Sequence, residues 1–269
     1  MAPEKAGRYN IRVLGRAMRV LDALSESQPS SLTELSRALN MSTSTTFRIL
    51  ASLASHGCVE KDGPFGKYRL GLRVIELARA YFEGNDLRRS ALPELERLRD
   101  MTGETVHLGV LNEMEVVYLE KLHGHHAIGL MSSRVGGRSP AYCTGLGKVL
   151  LAHSDPEQIR KHFERSGLKR FTESTVRTVP KLMEDLDRVR KLGYALDQGE
   201  HEAEVRCVAV PVFDLTDQVV AAISVSGPAG RIDPIEGNVG LIERTRAAAQ
   251  AISRRLGFHL ISPLVSPRG

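Results

Sequence analysis

The sequence predicts an α+β chain: an N-terminal winged helix-turn-helix, a linker helix, and a C-terminal domain with an antiparallel sheet and flanking helices. Three observations carry this. Two short apolar-periodic segments flank a polar turn at residues 40–43. Two short β-prone runs around a Gly/Pro turn follow directly, at 58–71. Beyond residue 104 the apolar spacing turns from helical to alternating, and strands then interleave with helices. The expected limits are 10–71 for the first domain, 72–89 for the linker helix and 90–257 for the second domain.

Length and composition agree. A chain of 269 residues is the size of about two domains. Charged residues at 26% and hydrophobic ones at 42% describe a globular protein. No apolar run approaches the ~20 residues that cross a bilayer, and the N-terminus MAPEKAGRYN has no apolar core of a secretory signal. Three cysteines without CxxC spacing fit a reducing cytoplasm and no metal framework. Charge is uneven. Residues 1–89 hold 14 Lys/Arg against 9 Asp/Glu, and the remainder holds 23 of each. A basic first third on a neutral partner is what a phosphate-binding module fused to another domain shows.

Residues 1–9 read as a loose arm, with Arg8, Arg12, Arg16 and Arg19 placed to follow a phosphate backbone. A helix over 11–27 puts Val13, Ala17, Val20, Leu21 and Leu24 inward, and Gln28-Pro29 ends it. Leu32, Leu35 and Leu39 mark the next short helix. The third runs over about 44–56, with Ser42 as N-cap and Gly57 as its end. Thr46, Ile49, Leu50 and Leu53 form its inner stripe. Ser44, Thr45, Phe47, Arg48 and Ser52 are left outside. An outward Phe beside an outward Arg suits a helix reading a major groove: Arg48 can fork onto a guanine and Phe47 can touch a thymine methyl. A solvated helical hairpin is the plainer alternative. The strands at 58–61 and 67–70 make a wing that sets Lys61, Lys67 and Arg69 against phosphates.

The linker helix over 72–89 carries Leu72, Ile75, Leu77, Ala78, Tyr81 and Phe82 around a wide arc, which fits a dimerising helix. A second helix over 90–102 has Pro93 in its first turn. Strands are expected at 105–111, 115–121, 127–132, 205–213 and 219–226. Helices are expected at 145–153, 155–165, 180–192 and 234–256.

Alternation places Val205, Cys207, Ala209 and Pro211 on one face of a strand, and Val220, Ala222, Ser224 and Ser226 together on the next. Small side chains with a thiol and two hydroxyls suit a small-molecule cleft. They equally suit a core with two satisfied serines. Thr144-Gly145-Leu146-Gly147-Lys148 opens a helix whose free amides favour a carboxylate or phosphate. Three rivals stand beside this reading, one of them a purely architectural DNA binder without an effector; the other two are chemistries. Cys207 with His201 and Asp197 has the residue types of a thiol hydrolase. His123, His125 and His126 have those of a zinc site, without nearby residues to complete it.

Thr33-Glu34-Leu35, Ser44-Thr45-x-x-Arg48-Ile49-Leu50, Leu53, Gly57 and Tyr68-Arg69-Leu70-Gly71 resemble the winged helix of IclR-type bacterial transcriptional regulators. PAYCTGLGKVLLA, LGYALDQGEHEAEVRCVAVPVFD and VVAAISVSGPAGRI resemble that family's effector-binding domain, which is similar to GAF domains. The resemblance covers roughly residues 10–257. It implies a non-enzymatic, cofactor-free cytoplasmic regulator that binds double-stranded operator DNA as a dimer or tetramer, and whose affinity a small organic acid controls. It implies effector contacts at Gly145, Leu146, Asp197, Cys207, Ser224 and Ser226, with Asp197 on the loop before the Cys strand accepting from a ligand hydroxyl. The chain departs from the pattern at Glu204, where many members have a glycine.

Overall fold

The computed structural model describes residues 11–62, 66–83, 86–125, 131–232 and 239–258. The chain divides at Gly84/Asn85 into two units. The first contains α1 (Arg12–Glu26), α2 (Leu32–Ala38), α3 (Thr43–Ser55), β1 (Val59–Asp62), β2 (Lys67–Leu70) and α4 (Leu72–Glu83). A reciprocal capping box starts α2: Glu34 N–H donates to Ser31 Oγ (3.2 Å) and Ser31 N–H to Glu34 Oε2 (2.7 Å). Asn40, at φ +50°, makes the turn into α3. Val20, Leu24, Leu35, Leu39, Ile49, Leu50, Val59 and Tyr68 form the core, and β1 pairs antiparallel with β2. Two backbone bonds between Ser30 and Tyr68 (2.9 and 2.7 Å) tie the α1–α2 connection to the wing.

One expectation changes in this unit. Val13 is 58% exposed, and Ile11, Leu14 and Met18 are exposed with it. The inner stripe of α1 is therefore narrower than its apolar residues suggest. Arg19 is exposed, and its guanidinium donates to Leu39 O (2.9 Å) at the end of α2. The helix expected over 72–89 is described as α4 up to Glu83 and, from Asp86, as the start of α5 (Asp86–Thr102), with 84–85 outside the described residues. Pro93 then lies inside α5 rather than in its first turn. Leu72, Ile75, Leu77 and Tyr81 of α4 are more than half exposed, and the Phe82 side chain lies outside the described residues.

The second unit continues with β3 (Thr105–Asn112), β4 (Glu115–Leu122), β5 (Arg138–Pro140), α6 (Gly145–Ala152), α7 (Pro156–Ser166), α8 (Val179–Leu192), β6 (Ala195–Asp197), β7 (Val205–Phe213), β8 (Val219–Pro228) and α9 (Val239–Arg255). Six antiparallel strands form one sheet in the order β5-β4-β3-β8-β7-β6. Its two faces are buried in different cores. Val106, Leu108, Val208, Val210, Ile223 and Val225 pack against α5 and α9. Val116, Tyr118, Ala209 and Ala222 pack against α6, α7 and α8. This is the expected α+β arrangement, with helices on both faces.

The sheet has two strands that sequence alternation misses. β5 and β6 are three residues each and sit at the two edges, too short for a period of two to register. The strand expected over 127–132 lies mostly outside the described residues, and Met131 and Ser132 are irregular. Among the described residues no helix is long and apolar enough to cross a membrane.

Candidate functional site

The outer face of α3 carries the polar residues that the apolar stripe leaves over. Thr46, Ile49 and Leu50 are buried, while Ser42, Ser44, Phe47 and Arg48 are exposed and Thr45 is half-buried. Phe47 keeps 52% of its surface open. Ser42 Oγ accepts from Thr45 N–H (3.2 Å) as the cap and bonds the hydroxyls of Ser44 and Thr45. Lys67 and Arg69 are exposed on β2, on either side of the inward Tyr68. Arg69 also pairs with Glu60 of β1 at 3.2 Å, so the wing edge is less positive than its arginine alone suggests. Lys61 is exposed on β1, and the wing tip, 63–65, lies outside the described residues.

Strand register builds the second site. Asp197 stands opposite Cys207, and Cys207 opposite Ser226. On the adjoining rung Ala209 stands opposite Ser224, and Ser224 opposite His107. These side chains therefore share one sheet face. The start of α6 lies over them. Thr144 caps it by accepting from Gly147 N–H (3.3 Å). Gly145 sits so close to the sheet that a Cβ there would lie 2.4 Å from Cys207 Sγ.

All six residues expected to touch a ligand (Gly145, Leu146, Asp197, Cys207, Ser224 and Ser226) line one cavity of ≈ 40 Å³. Tyr118, Ser139 and Thr144 complete its wall, and His201, Glu202 and Val205 its rim. Met131–Ser133 crosses the mouth. Lys121 Nζ donates to Met131 O (3.3 Å) and Ser133 O (2.5 Å). Glu202 Oε1 accepts from the N–H (2.9 Å) and hydroxyl (2.6 Å) of Ser132.

The residue that sequence reasoning missed is His107. It is 3% exposed, and all its polar contacts are hydroxyls: Ser133 Oγ at 2.9 Å from Nε2, and Ser224 and Ser226 at 3.4 and 3.5 Å from Nδ1. Burial, aided by Lys121 and His123, pushes its pKa down to about 3, so it is a neutral imidazole. The signal was available: histidine falls in the same alternation phase as Gly109 in an otherwise apolar strand.

Asp197 is not on a loop but ends β6, paired with Cys207. Its Oδ1 accepts from Gly199 N–H (3.0 Å) and Glu200 N–H (2.8 Å), which shapes the following turn. Gly199 supplies that turn's left-handed residue at φ +84°. Glu204, just before β7, accepts from Ala229 N–H through its backbone carbonyl (2.9 Å). Burial raises the Asp197 pKa to about 7, while Lys148 and the two amides work against it. Lys148 and Glu200, both buried, form an ion pair beneath this turn, and Lys148 also donates to Leu196 O (2.6 Å).

The hydrolase geometry is not present. Burial and Asp197 raise the Cys207 pKa to about 12, and the groups bonding its sulfur are the Gly145 amide and Ser226 hydroxyl, not an imidazole. The His201 ring packs on Phe171, with centroids 4.8 Å apart. His123 and His125 are exposed, and His126 lies outside the described residues. Among the described residues no group of three or more His, Cys, Asp or Glu could hold a metal ion.

Comparison with known proteins agrees in both halves. Residues 13–63 match the IclR helix-turn-helix domain, and residues 79–254 match the bacterial transcriptional regulator IclR C-terminal domain. The chain is 38% identical over 240 residues to the HTH-type transcriptional regulator KdgR of Escherichia coli (strain K12), covering 89% of this chain and 90% of that one. It is 33% identical over 256 residues to the HTH-type transcriptional repressor AllR of the same organism, covering 95% and 94%. Among solved structures it resembles the Thermotoga maritima IclR (TM-score 0.72, 30% identity, 93% of this chain and 100% of that one). It also resembles an IclR homolog from Microbacterium hydrocarbonoxydans complexed with 4-hydroxybenzoate (TM-score 0.79, 31% identity, 91% and 98%). The chain belongs to the IclR family of bacterial DNA-binding transcriptional regulators.

Proposed function

We propose that this regulator binds a palindromic operator as a homo-oligomer, a dimer or a tetramer, and releases or grips it in response to a small organic acid held in the Cys207–Ser226 cavity. The observation that carries the reading is the convergence of Gly145, Leu146, Asp197, Cys207, Ser224 and Ser226 on one cavity. Neutral groups line it: the Ser224 and Ser226 hydroxyls and the opening turn of α6 at Gly145 and Leu146. The 4-hydroxybenzoate in the related structure supports an acid as the ligand class. The buried, protonated Cys207 thiol favours binding over turnover in this cavity.

On the DNA side, Ser42, Ser44, Thr45, Phe47 and Arg48 present α3 to the major groove, and Lys67 and Arg69 hold the wing against phosphates. The exposed apolar residues of α4, Leu72, Ile75 and Leu77, supply a surface for a second copy. A paired arrangement is what two half-sites about one helical turn apart require. The ligand acts by binding one arrangement of the oligomer more tightly than another. Its place of work is the cytoplasm, where the operator is.

The test is thermal denaturation of the full chain against aromatic, keto, hydroxy and sugar acids, with operator selection from random duplexes in parallel. A saturable rise with one acid class and a two-fold symmetric selected site are expected. Selection of a symmetric site with no stabilisation by any acid would leave a DNA binder without an acid effector.

A further inference from the structure

The cavity proposed to receive an acid contains no cation of its own. Among the described residues lining it there is no lysine and no arginine. Its titratable side chains are otherwise committed. Glu202 holds Ser132, Tyr118 donates to Ser139 (3.2 Å), Cys207 is a buried thiol, and His107 is a neutral ring among hydroxyls. His201 packs at the rim against Phe171, with the rings tilted. An organic anion entering here meets Asp197, a carboxyl only 6% exposed. Its Oδ1 is satisfied by two backbone amides, while Oδ2 accepts no hydrogen bond among the described residues.

The surroundings of Asp197 do not supply the missing positive charge. From α6, Lys148 sits nearby, but its ammonium is bound to Glu200 and to Leu196 O. From the turn, Glu200 adds a second negative group. Cys143, Cys207 and Tyr118, which face Asp197 from the segment before α6, from β7 and from β4, are neutral with their pKa values pushed upward. Two carboxylates side by side in a buried cavity cannot both stay ionised; such pairs hold one proton between them.

We propose, building on the acid-binding reading above, that the effector binds together with one proton, which bonds to Asp197 Oδ2 and is donated from there to the ligand's polar group. The proton comes from solvent, and no other bond changes. Ser224, Ser226 and the α6 amides are then free to hold the ligand's carboxylate as neutral donors. The raised pKa of Asp197, about 7 before any ligand arrives, means that little work is needed to protonate it at neutral pH. His107 stays neutral and contributes a hydrogen bond, not a charge.

The test is isothermal titration of the full chain with glycolate and with benzoate, neither of which titrates between pH 6 and 9. Affinity is measured across that range in pairs of buffers with different ionisation heats. The expected Kd rises about tenfold per pH unit above pH 7, and about one proton is absorbed per ligand at pH 8.5. Asp197→Asn, whose amide imitates the protonated acid, should bind with a Kd that is flat across the range. A flat Kd and no proton uptake in the wild type would overturn the proposal and leave the acid-binding reading intact. A slope that persists in Asp197→Asn would overturn it by moving the proton to another group. If neither probe binds the wild type at pH 6, pyruvate and gluconate are titrated next, and failure of all four overturns the acid-binding reading and this inference with it. Should Asp197→Asn not fold, the buffer comparison on the wild type decides alone.

Discussion

Gly145 and Cys207 touch: a Cβ on the glycine would stand 2.4 Å from the sulfur and 3.3 Å from the Ala209 Cβ. The contact fixes how closely the start of α6 approaches β7, and so the depth of the cavity between them. Gly145→Ala forces either the helix or the strand to move. The expected cost is about 1–3 kcal/mol of stability in the second unit, with loss of ligand binding. Adding Cys207→Ala should return part of that stability, since it removes the atom in the way. A double-mutant cycle by denaturant unfolding checks it; additive losses would mean that the two residues are not in contact.

The Lys148–Glu200 pair offers a second test. Both side chains are buried (7% and 12% exposed), and their bond lies under the turn that carries Asp197. Lys148→Met leaves Glu200 without its cation and should cost about 3–5 kcal/mol. Lys148→Met with Glu200→Leu should recover most of it, because apolar replacement of a buried pair is often close to neutral. Equal losses in the single and double variants, measured by urea unfolding, would show that the pair's role is to shape the turn.

Much of this was legible in the sequence because each strong signal was local. Ser42 is a cap written in four residues. Cys207, Ser224 and Ser226 lie on one face because strand periodicity allows no other arrangement once β7 pairs with β8. The failures were non-local. Nothing in 195–197 or 138–140 announces a strand, since three residues pair only when a neighbouring edge is offered. His107 looked like any polar residue until β3 was placed beside β8.

His107 and Asp197 make opposite contributions to stability against pH. His107 is neutral in the fold to about pH 3 but charges below 6.5 when unfolded, so it favours the unfolded chain increasingly as pH falls from 6.5. Asp197 is protonated in the fold up to about pH 7 but ionises above 3.8 when unfolded, so it favours the folded chain increasingly as pH falls from 7. Between pH 6.5 and 4 the two largely cancel. His107→Gln removes one side of the balance. Relative to wild type its stability should rise by about 3 kcal/mol between pH 6.5 and 4. Asp197→Asn should show a relative fall of similar size. Urea unfolding at half-unit pH steps measures both, and parallel curves for all three proteins would show that neither group is titrating as its burial requires.

On the DNA face, Arg48 and Lys67 should fail in different ways. Arg48 is exposed in the second turn of α3, beside Phe47, and has the reach to fork onto a guanine edge. Lys67 lies on the wing strand, where a point charge meets a phosphate. Arg48→Ala should cost about 1–3 kcal/mol on the selected operator and relax the preference at one position of each half-site. Lys67→Ala should weaken specific and random duplexes alike and lower the slope of log K against log salt by roughly one. Binding isotherms at three salt concentrations, on operator and scrambled DNA, separate the two. Unchanged discrimination in Arg48→Ala would remove it from base reading and leave it as a second phosphate contact.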